Sequence, residues 1–295
     1  MLEQKLKKGD FVITAEIVPP LSGDRDDLFK RVAPLAGLVD AVNLTDGAGA
    51  RLAMSSTAAS ALLVAEGFEP ILQMTCRDRN TIGLASDLLG ASAQGIKNLL
   101  ILRGDDPAKG DMPTAKAVFD IESSELISMA SDLQGTLGKK GREITSPPEF
   151  FIGCADAPHD PASDWQPDGL RRKIAAGAQF AQTQFCFDID TARNYFARLN
   201  DLGITQQLKF IVGIGPLLSL RQARFMNENL FGVTVPERTL KRLEEAGDQK
   251  AEGQKICIEL ARAFKGIAGI SGVHIMAPQQ NGETIAQVVK SIRGF

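Results

Sequence analysis

A glutamate interrupts an apolar run near the start of the chain: Glu16 lies in FVITAEIV, Phe11–Val18, just before Pro19 and Pro20. A carboxylate in such a run is costly unless it is paired or put to use. A partly desolvated carboxyl is also the kind of group that delivers a proton. The bland alternative is an exposed residue on an edge strand. Arg103-Gly104-Asp105 follows another apolar run. An Arg and an Asp flanking a Gly suit an anionic or heteroaromatic ligand, and the same residues also serve to cap a following helix. Gln182 and Gln184 lie two apart and so share one face of a strand. Arg171, Arg172 and Lys173 form a basic cluster whose simplest reading is a solvated surface. His159 and Trp165 read as structural or exposed residues.

These residues need elements to position them, and the chain supplies an alternation. Short apolar, β-rich runs are predicted as strands at Phe11–Val18, Asp40–Leu44, Pro70–Thr75, Asn98–Leu102, Phe150–Cys154, Phe180–Phe187, Lys209–Ile214 and Gly272–Met276. Helical patterns fall between them, at Asn80–Gly95 with Gly95 as its C-cap, Leu170–Gly177, Asp190–Gly203, Leu220–Asn229 and Glu283–Ile292. Nearly continuous apolar strands separated by helices imply a parallel sheet covered on both faces. Eight such units favour a closed (β/α)8 TIM barrel over an open doubly wound sheet, which has about five to seven strands. No domain boundary is visible, so residues 1–295 are expected to form a single domain. Val235–Gln254 is polar and leads into the amphipathic run Lys255–Ala268; together they predict extra helix before the last strand. Leu137–Pro148 is expected to be a loop.

In a closed barrel there is no edge strand, which favours a working role for Glu16. Active sites of this fold sit at the carboxyl ends of the strands. The candidates there are Glu16, then Asn43 to Gly47 including Thr45, then Gln73, Thr75 and Arg77 to Arg79. Arg103 to Asp106, Gln182 to Gln184, Gly213 to Pro216 and Pro278 to Asn281 complete the set.

Composition excludes other classes. The chain has 295 residues, 44% hydrophobic and 23% charged, enough for a large core and close to the roughly 250 of one such barrel. A net charge of −3 with interspersed signs does not favour nucleic acid or an anionic membrane. No apolar run approaches the ~20 residues needed to span a bilayer, and nothing resembles a signal peptide. The four cysteines, Cys76, Cys154, Cys186 and Cys257, are widely spaced and read as reduced, buried thiols of a cytoplasmic protein. The absence of a CxxC pair and the presence of only two histidines argue against a zinc site. No GxGxxG fingerprint follows the first strand.

Three segments carry a resemblance. Gln73-Met74-Thr75-Cys76-Arg77-Asp78-Arg79-Asn80, Ser86 to Ala91 (SDLLGA) and Leu102-Arg103-Gly104-Asp105-Asp106-Pro107 resemble the methylenetetrahydrofolate reductase family. Glu16 before Pro19-Pro20 is similar to that family's EFFPP element, and Thr183 to Asp188 (TQFCFD) to its TQFFFD element. The resemblance covers nearly the whole chain in order. It implies a (β/α)8 barrel that binds a flavin, FAD ahead of FMN, across the strand ends. It also implies interconversion of methylenetetrahydrofolate and methyltetrahydrofolate in one-carbon metabolism. By the same resemblance Glu16 matches the general acid and Asp105 the carboxylate near flavin and pterin. Gln184 matches a pterin-binding amide. Thr45, Leu102, Arg103 and Gly104 match flavin contacts, as do Val118, Phe119 and Asp120. Arg172 and Lys173 match positions that hold the flavin's phosphate or ribityl end, and His159 matches a histidine in a similar loop. The implied chemistry is proton delivery that opens the folate's five-membered ring, followed by hydride transfer through flavin N5.

The chain departs from the family at several points. Gln73 stands where many members have a histidine near the flavin, and Leu220 where a phenylalanine stacks on substrate. A strand-eight arginine has no counterpart among Gln279, Gln280 and Asn281, and a tyrosine after the fifth strand is replaced by Ala155 or Asp156. These changes leave the electron partner, NAD(P)H or another donor, open; oligomeric state, including a homo-oligomer, is equally open. Two alternatives stand beside the reductase: the same barrel run oxidatively on methyltetrahydrofolate with a partner other than NADH, and a non-catalytic folate- or flavin-binding barrel serving another protein. An aldolase or pterin-dependent methyltransferase is a weaker third, since no strand-end lysine offers a Schiff base.

Overall fold

Eight parallel strands close on themselves in sequence order: β1 Val12–Ile17, β2 Ala41–Leu44, β3 Pro70–Thr75, β4 Asn98–Leu102, β5 Phe151–Asp156, β6 Phe180–Phe185, β7 Lys209–Ile214 and β8 Ile270–Ile275. This is the (β/α)8 barrel expected from the alternation. The computed structural model describes residues 1–135, 143–278, 280 and 282–294. Gln279 and Asn281, and residues 137–142 of the expected loop, lie outside the described residues; 143–148 carry neither helix nor strand. The eight strands match the expected runs to within about two residues at most ends.

The helices among the described residues are α1 Leu2–Lys8, α2 Arg25–Val32, α3 Ser56–Ala65, α4 Thr81–Ala93, α5 Ser123–Asp132, α6 Asp168–Ala175, α7 Ile189–Asp201, α8 Leu220–Asn229, α9 Glu237–Glu245, α10 Gln249–Phe264 and α11 Gly282–Arg293. Asn80 caps α4 by accepting from the Gly83 amide, and Gly95 follows its end at φ 79°, as the pattern required. The extra helix before β8 is two helices. Arg242 on α9 joins them by pairing with Glu252 and Glu259 of α10, and Asp248 caps the start of α10. No helix among the described residues is long and apolar enough to cross a membrane.

Side chains alternate between the barrel interior and the helix layer. The helix-facing set forms the large apolar core. The inward set divides along the barrel axis. At the amino-terminal end Val12, Ala41, Ile71, Leu100, Phe151, Phe180 and Ile211 pack together, and Leu2 and Leu6 of α1 close over them. Phe151 and Phe180 stack with centroids 4.8 Å apart. Gly153 makes room for this stack, since a methyl group there would overlap the Phe180 ring. Above that plug the interior turns polar.

Candidate active site

The polar layer begins with Thr14, Asn43, Gln182 and His274, all buried. Their hydrogen bonds cross the barrel from β6 to β1 and β2, which places them in its interior. Gln182 and Asn43 exchange two amide bonds, 2.5 and 3.1 Å, and Gln182 Nε2 also donates to Thr14 Oγ1 at 3.1 Å. Thr14 Oγ1 lies 2.9 Å from His274 Nδ1. The other imidazole nitrogen, Nε2, faces Glu16 Oε2 at 3.8 Å. One step further along the strands, Gln73 Nε2 donates to the same carboxylate oxygen at 3.0 Å. Glu16, with its side chain 23% exposed, thus stands where the buried network meets the open end of the barrel.

Loops after β2, β3 and β4 shape one side of this opening. The TCRDRN run turns out to be their scaffold. Arg77, almost fully buried, grips the Gly47 and Asp46 carbonyls at 2.9 and 3.1 Å and pairs with Asp78. Asp46 accepts from the Thr75 amide and hydroxyl, both at 2.9 Å, and pairs with Arg79. The β2 loop so fixed presents the Gly49 amide to Asp105 Oδ2 at 2.8 Å. Asp105 therefore joins the β2 and β4 loops, while its neighbour Asp106 performs the capping, accepting from the Ala108 amide. Gly104 sits at φ 92° against Thr75 and Arg77, where a Cβ would be 2.9 Å from Arg77 Cβ. Leu102 ends β4 half-buried, and Arg103 lies over the Phe119 ring at 4.3 Å. The Val118 amide donates to the Arg77 carbonyl at 2.7 Å, which brings residues 118–119 to the same loops. Asp120 instead accepts from the Thr81 amide at 2.8 Å and from its hydroxyl, at the start of α4.

The opposite side is built by β5 to β7. A bulge in β6 between Gln182 and Phe185 breaks the regular register with β7. There Gln184 Oε1 accepts from the Phe185 amide at 3.0 Å and its Nε2 approaches the Phe231 carbonyl at 3.4 Å. Phe231 is 91% exposed. A cavity of about 540 Å³ lies beside it, lined by residues including His159, Asp160, Phe185, Asp188 and Asn227. Lys173 on α6 reaches back to donate to the Ala155 carbonyl at 2.6 Å, whereas Arg172 is exposed. His159 packs on Trp165 and Tyr195 with centroids 4.9 and 5.1 Å away. Asp156, at the end of β5, accepts from the Tyr195 hydroxyl at 2.8 Å; burial pushes its carboxyl above the usual range, against that bond. Leu220 opens α8, its amide bound to Gln249, and lines a second cavity of about 770 Å³ with Arg221 and Phe225. Neither cavity includes Glu16.

The structure thus brings Glu16 and Gln73 together, and gathers Leu102, Arg103, Gly104, Asp105, Val118 and Phe119 into one set of loops with Thr45 nearby. It sets Gln184, Lys173 and His159 on the other side, with Arg172 and Leu220 further out. The sequence reading missed His274, whose signal was its place two residues from Gly272 on the inward alternation. It also missed Phe231, which no local pattern marks.

The opening has unmet polar capacity. Thr45 Oγ1, beyond the end of β2, and Gln280 Oε1, beyond β8, are buried with no hydrogen-bond partner among the described residues. Leaving a buried polar atom unpaired costs about 1–3 kcal/mol. Both lie just past strand ends and are sealed from solvent.

The profile of the methylenetetrahydrofolate reductase family matches residues 1–293. The chain belongs to this family. A Caenorhabditis elegans relative, probable methylenetetrahydrofolate reductase (NADPH), is 26% identical over 82% of this chain and 35% of its own length. The 5,10-methylenetetrahydrofolate reductase of Salmonella typhimurium is 29% identical over 64% of this chain and 57% of its own. The Escherichia coli enzyme of the same name is 26% identical over the same shares. The chain therefore spans about a third to somewhat over half of the length of these relatives. Among solved structures, a Clostridium thermocellum protein that binds two copies of 5-methyl-5,6,7,8-tetrahydrofolic acid superposes with a TM-score of 0.66 at 15% identity, covering 99% of this chain and 98% of that one. DmoA from Hyphomicrobium sulfonivorans superposes at 0.60 with 10% identity, covering 97% and 88%. At these identities the likeness is one of fold.

Proposed function

We propose that the chain is a flavin-dependent 5,10-methylenetetrahydrofolate reductase that interconverts methylene- and methyltetrahydrofolate, with Glu16 as general acid. The observation that carries this reading is the setting of Glu16: a half-buried carboxyl at the junction of a buried polar network and an open barrel end, oriented by Gln73. The family supports the folate chemistry, as do the names of the relatives and the methyltetrahydrofolate bound by the Clostridium protein.

The unpaired Thr45 hydroxyl is the structural reason to place FAD across the β2 to β4 loops. There Leu102, Arg103, Gly104, Val118, Phe119 and Asp120 would flank it with Gln73 and Asp105, and Lys173, Arg172 and His159 would hold its far end. A bound flavin supplies hydride exchange with the folate carbon. The chain's residues do the rest. Glu16 gives a proton to a folate nitrogen, which opens the five-membered ring to a cationic form. Asp105, fixed by the Gly49 amide, sets a negative charge near that cation. Gln184 offers an amide to the pterin, and Leu220 an apolar contact at the outer edge.

The purified protein should be yellow, be bleached by NADH, NADPH or an artificial reductant, and be reoxidised by methylenetetrahydrofolate. Glu16→Gln should keep the flavin spectrum and lose folate turnover by roughly 10²- to 10⁴-fold. A colourless protein that gains no flavin on reconstitution overturns the proposal.

A further inference from the structure

The hydrogen bonds beneath Glu16 have a direction. A carboxylate accepts only, and Gln73 Nε2 already donates to Glu16 Oε2. His274 Nε2 faces the same oxygen at 3.8 Å, too far for a direct hydrogen bond, and as an N–H it is the form whose charge complements the carboxylate. In the neutral ring the other nitrogen, Nδ1, is then an acceptor. The group beside Nδ1 is the Thr14 hydroxyl, which must therefore spend its proton there. Its oxygen is left to accept, and the Gln182 amide donates to it. Gln182 is held in that sense by Asn43, which gives its N–H to Gln182 Oε1 and takes the second Gln182 N–H on its own oxygen. Each donor in the series from Gln182 through Thr14 to His274 thus meets an acceptor, and an Nε2–H at its end points toward Glu16 across 3.8 Å.

We infer that Asn43 and Gln182 are positioning residues: acting through Thr14, they hold His274 as its neutral Nε2–H tautomer against Glu16. The role rests on the proposed proton delivery by Glu16. A correctly held tautomer orients the carboxylate before each turnover. All four side chains are buried, so water does not substitute for a missing partner in the chain of bonds. Asn43 and Gln182 touch no reacting atom in this scheme.

Nitrogen-15 labelling of histidine tests the tautomer directly, because the chain has only two histidines and a His159→Gln spectrum assigns the pair. Wild-type His274 should show one neutral ring protonated at Nε2. Thr14→Val and Gln182→Met should convert that signal to a mixture of tautomers. Both should lower kcat about tenfold or more while KM stays within about twofold, and Thr14→Ser should restore both readings. A wild-type ring protonated at Nδ1 overturns the inference, and so does a single Nε2–H tautomer retained in both variants. An unchanged kcat in a variant whose tautomer has shifted overturns the positioning role. If Thr14→Val fails to fold, the wild-type and Gln182→Met spectra still decide. The tautomer needs no turnover to be read, so an Nε2–H ring in a protein without flavin sinks the reductase proposal and leaves the tautomer assignment standing.

Discussion

Asp156 is a carboxylate held out of water. Burial raises its carboxyl above the usual range, and the Tyr195 hydroxyl is the main group opposing that rise. The native state therefore holds a proton more readily than the unfolded chain does. Its stability contribution is fullest below the ordinary carboxylate range and is lost as pH rises through the raised native value. Asp156→Asn keeps an acceptor for Tyr195 and removes the titration. It should raise Tm by about 2 °C near pH 8, a gain that vanishes as pH falls to about 4, as calorimetry across that range would show. At this scale legibility followed contrast. Glu16 stood out because a carboxylate broke an apolar run. His274 did not, since a histidine in an apolar strand reads as core, and its hydrogen-bond partner Thr14 is 260 residues away. The TCRDRN run was legible as a motif but not as a scaffold, because the carbonyls that Arg77 holds lie in another loop.

Among the elements, the sequence reading named no helix at α1, α2, α3 or α5, and α1 had the weakest local signal of the four. Two leucines four apart in a seven-residue charged segment look like a tail, yet both are buried against the lowest layer of barrel side chains. Lys5 anchors the helix to Asp40, which also binds Arg293 of α11 and the Ile13 amide. Leu6→Ala should cost about 2–5 kcal/mol, read from the midpoint of urea unfolding. A change near zero would mean that the helix rests on the barrel without being part of its core. The strands were legible because apolar runs bounded by turn residues have few other solutions. Their ends were less so: β5 continues past Cys154 to Asp156, where Tyr195 donates to the Asp156 carboxylate and Lys173 to the Ala155 carbonyl, bonds that local sequence gives no reason to expect. The start of α10 at Gln249, ahead of the amphipathic run, likewise depends on the Asp248 cap and on Arg242 from another helix.

Across the whole molecule, the eightfold count decided the architecture, because a parallel sheet of that many strands, buried on both faces, closes most simply on itself. The four cysteines are spread through it, all free and buried. Burial pushes the Cys76 thiol up to about 11 and those of Cys154 and Cys186 to about 12, and pushes Cys257 in the same direction. A thiol reagent at pH 8 should accordingly find none of the four in the native protein and all of them in denaturant, in one phase that tracks unfolding. A cysteine that reacts early would mark a local opening beneath its strand or helix.

With α1 seated across the amino-terminal end, the barrel is a well with one rim. Whatever reaches Glu16 arrives and departs over that rim. On the proposed reading, a molecule seated at Glu16 would stand in the way of any other that needs the same carboxylate, and each should compete with the other in steady-state inhibition.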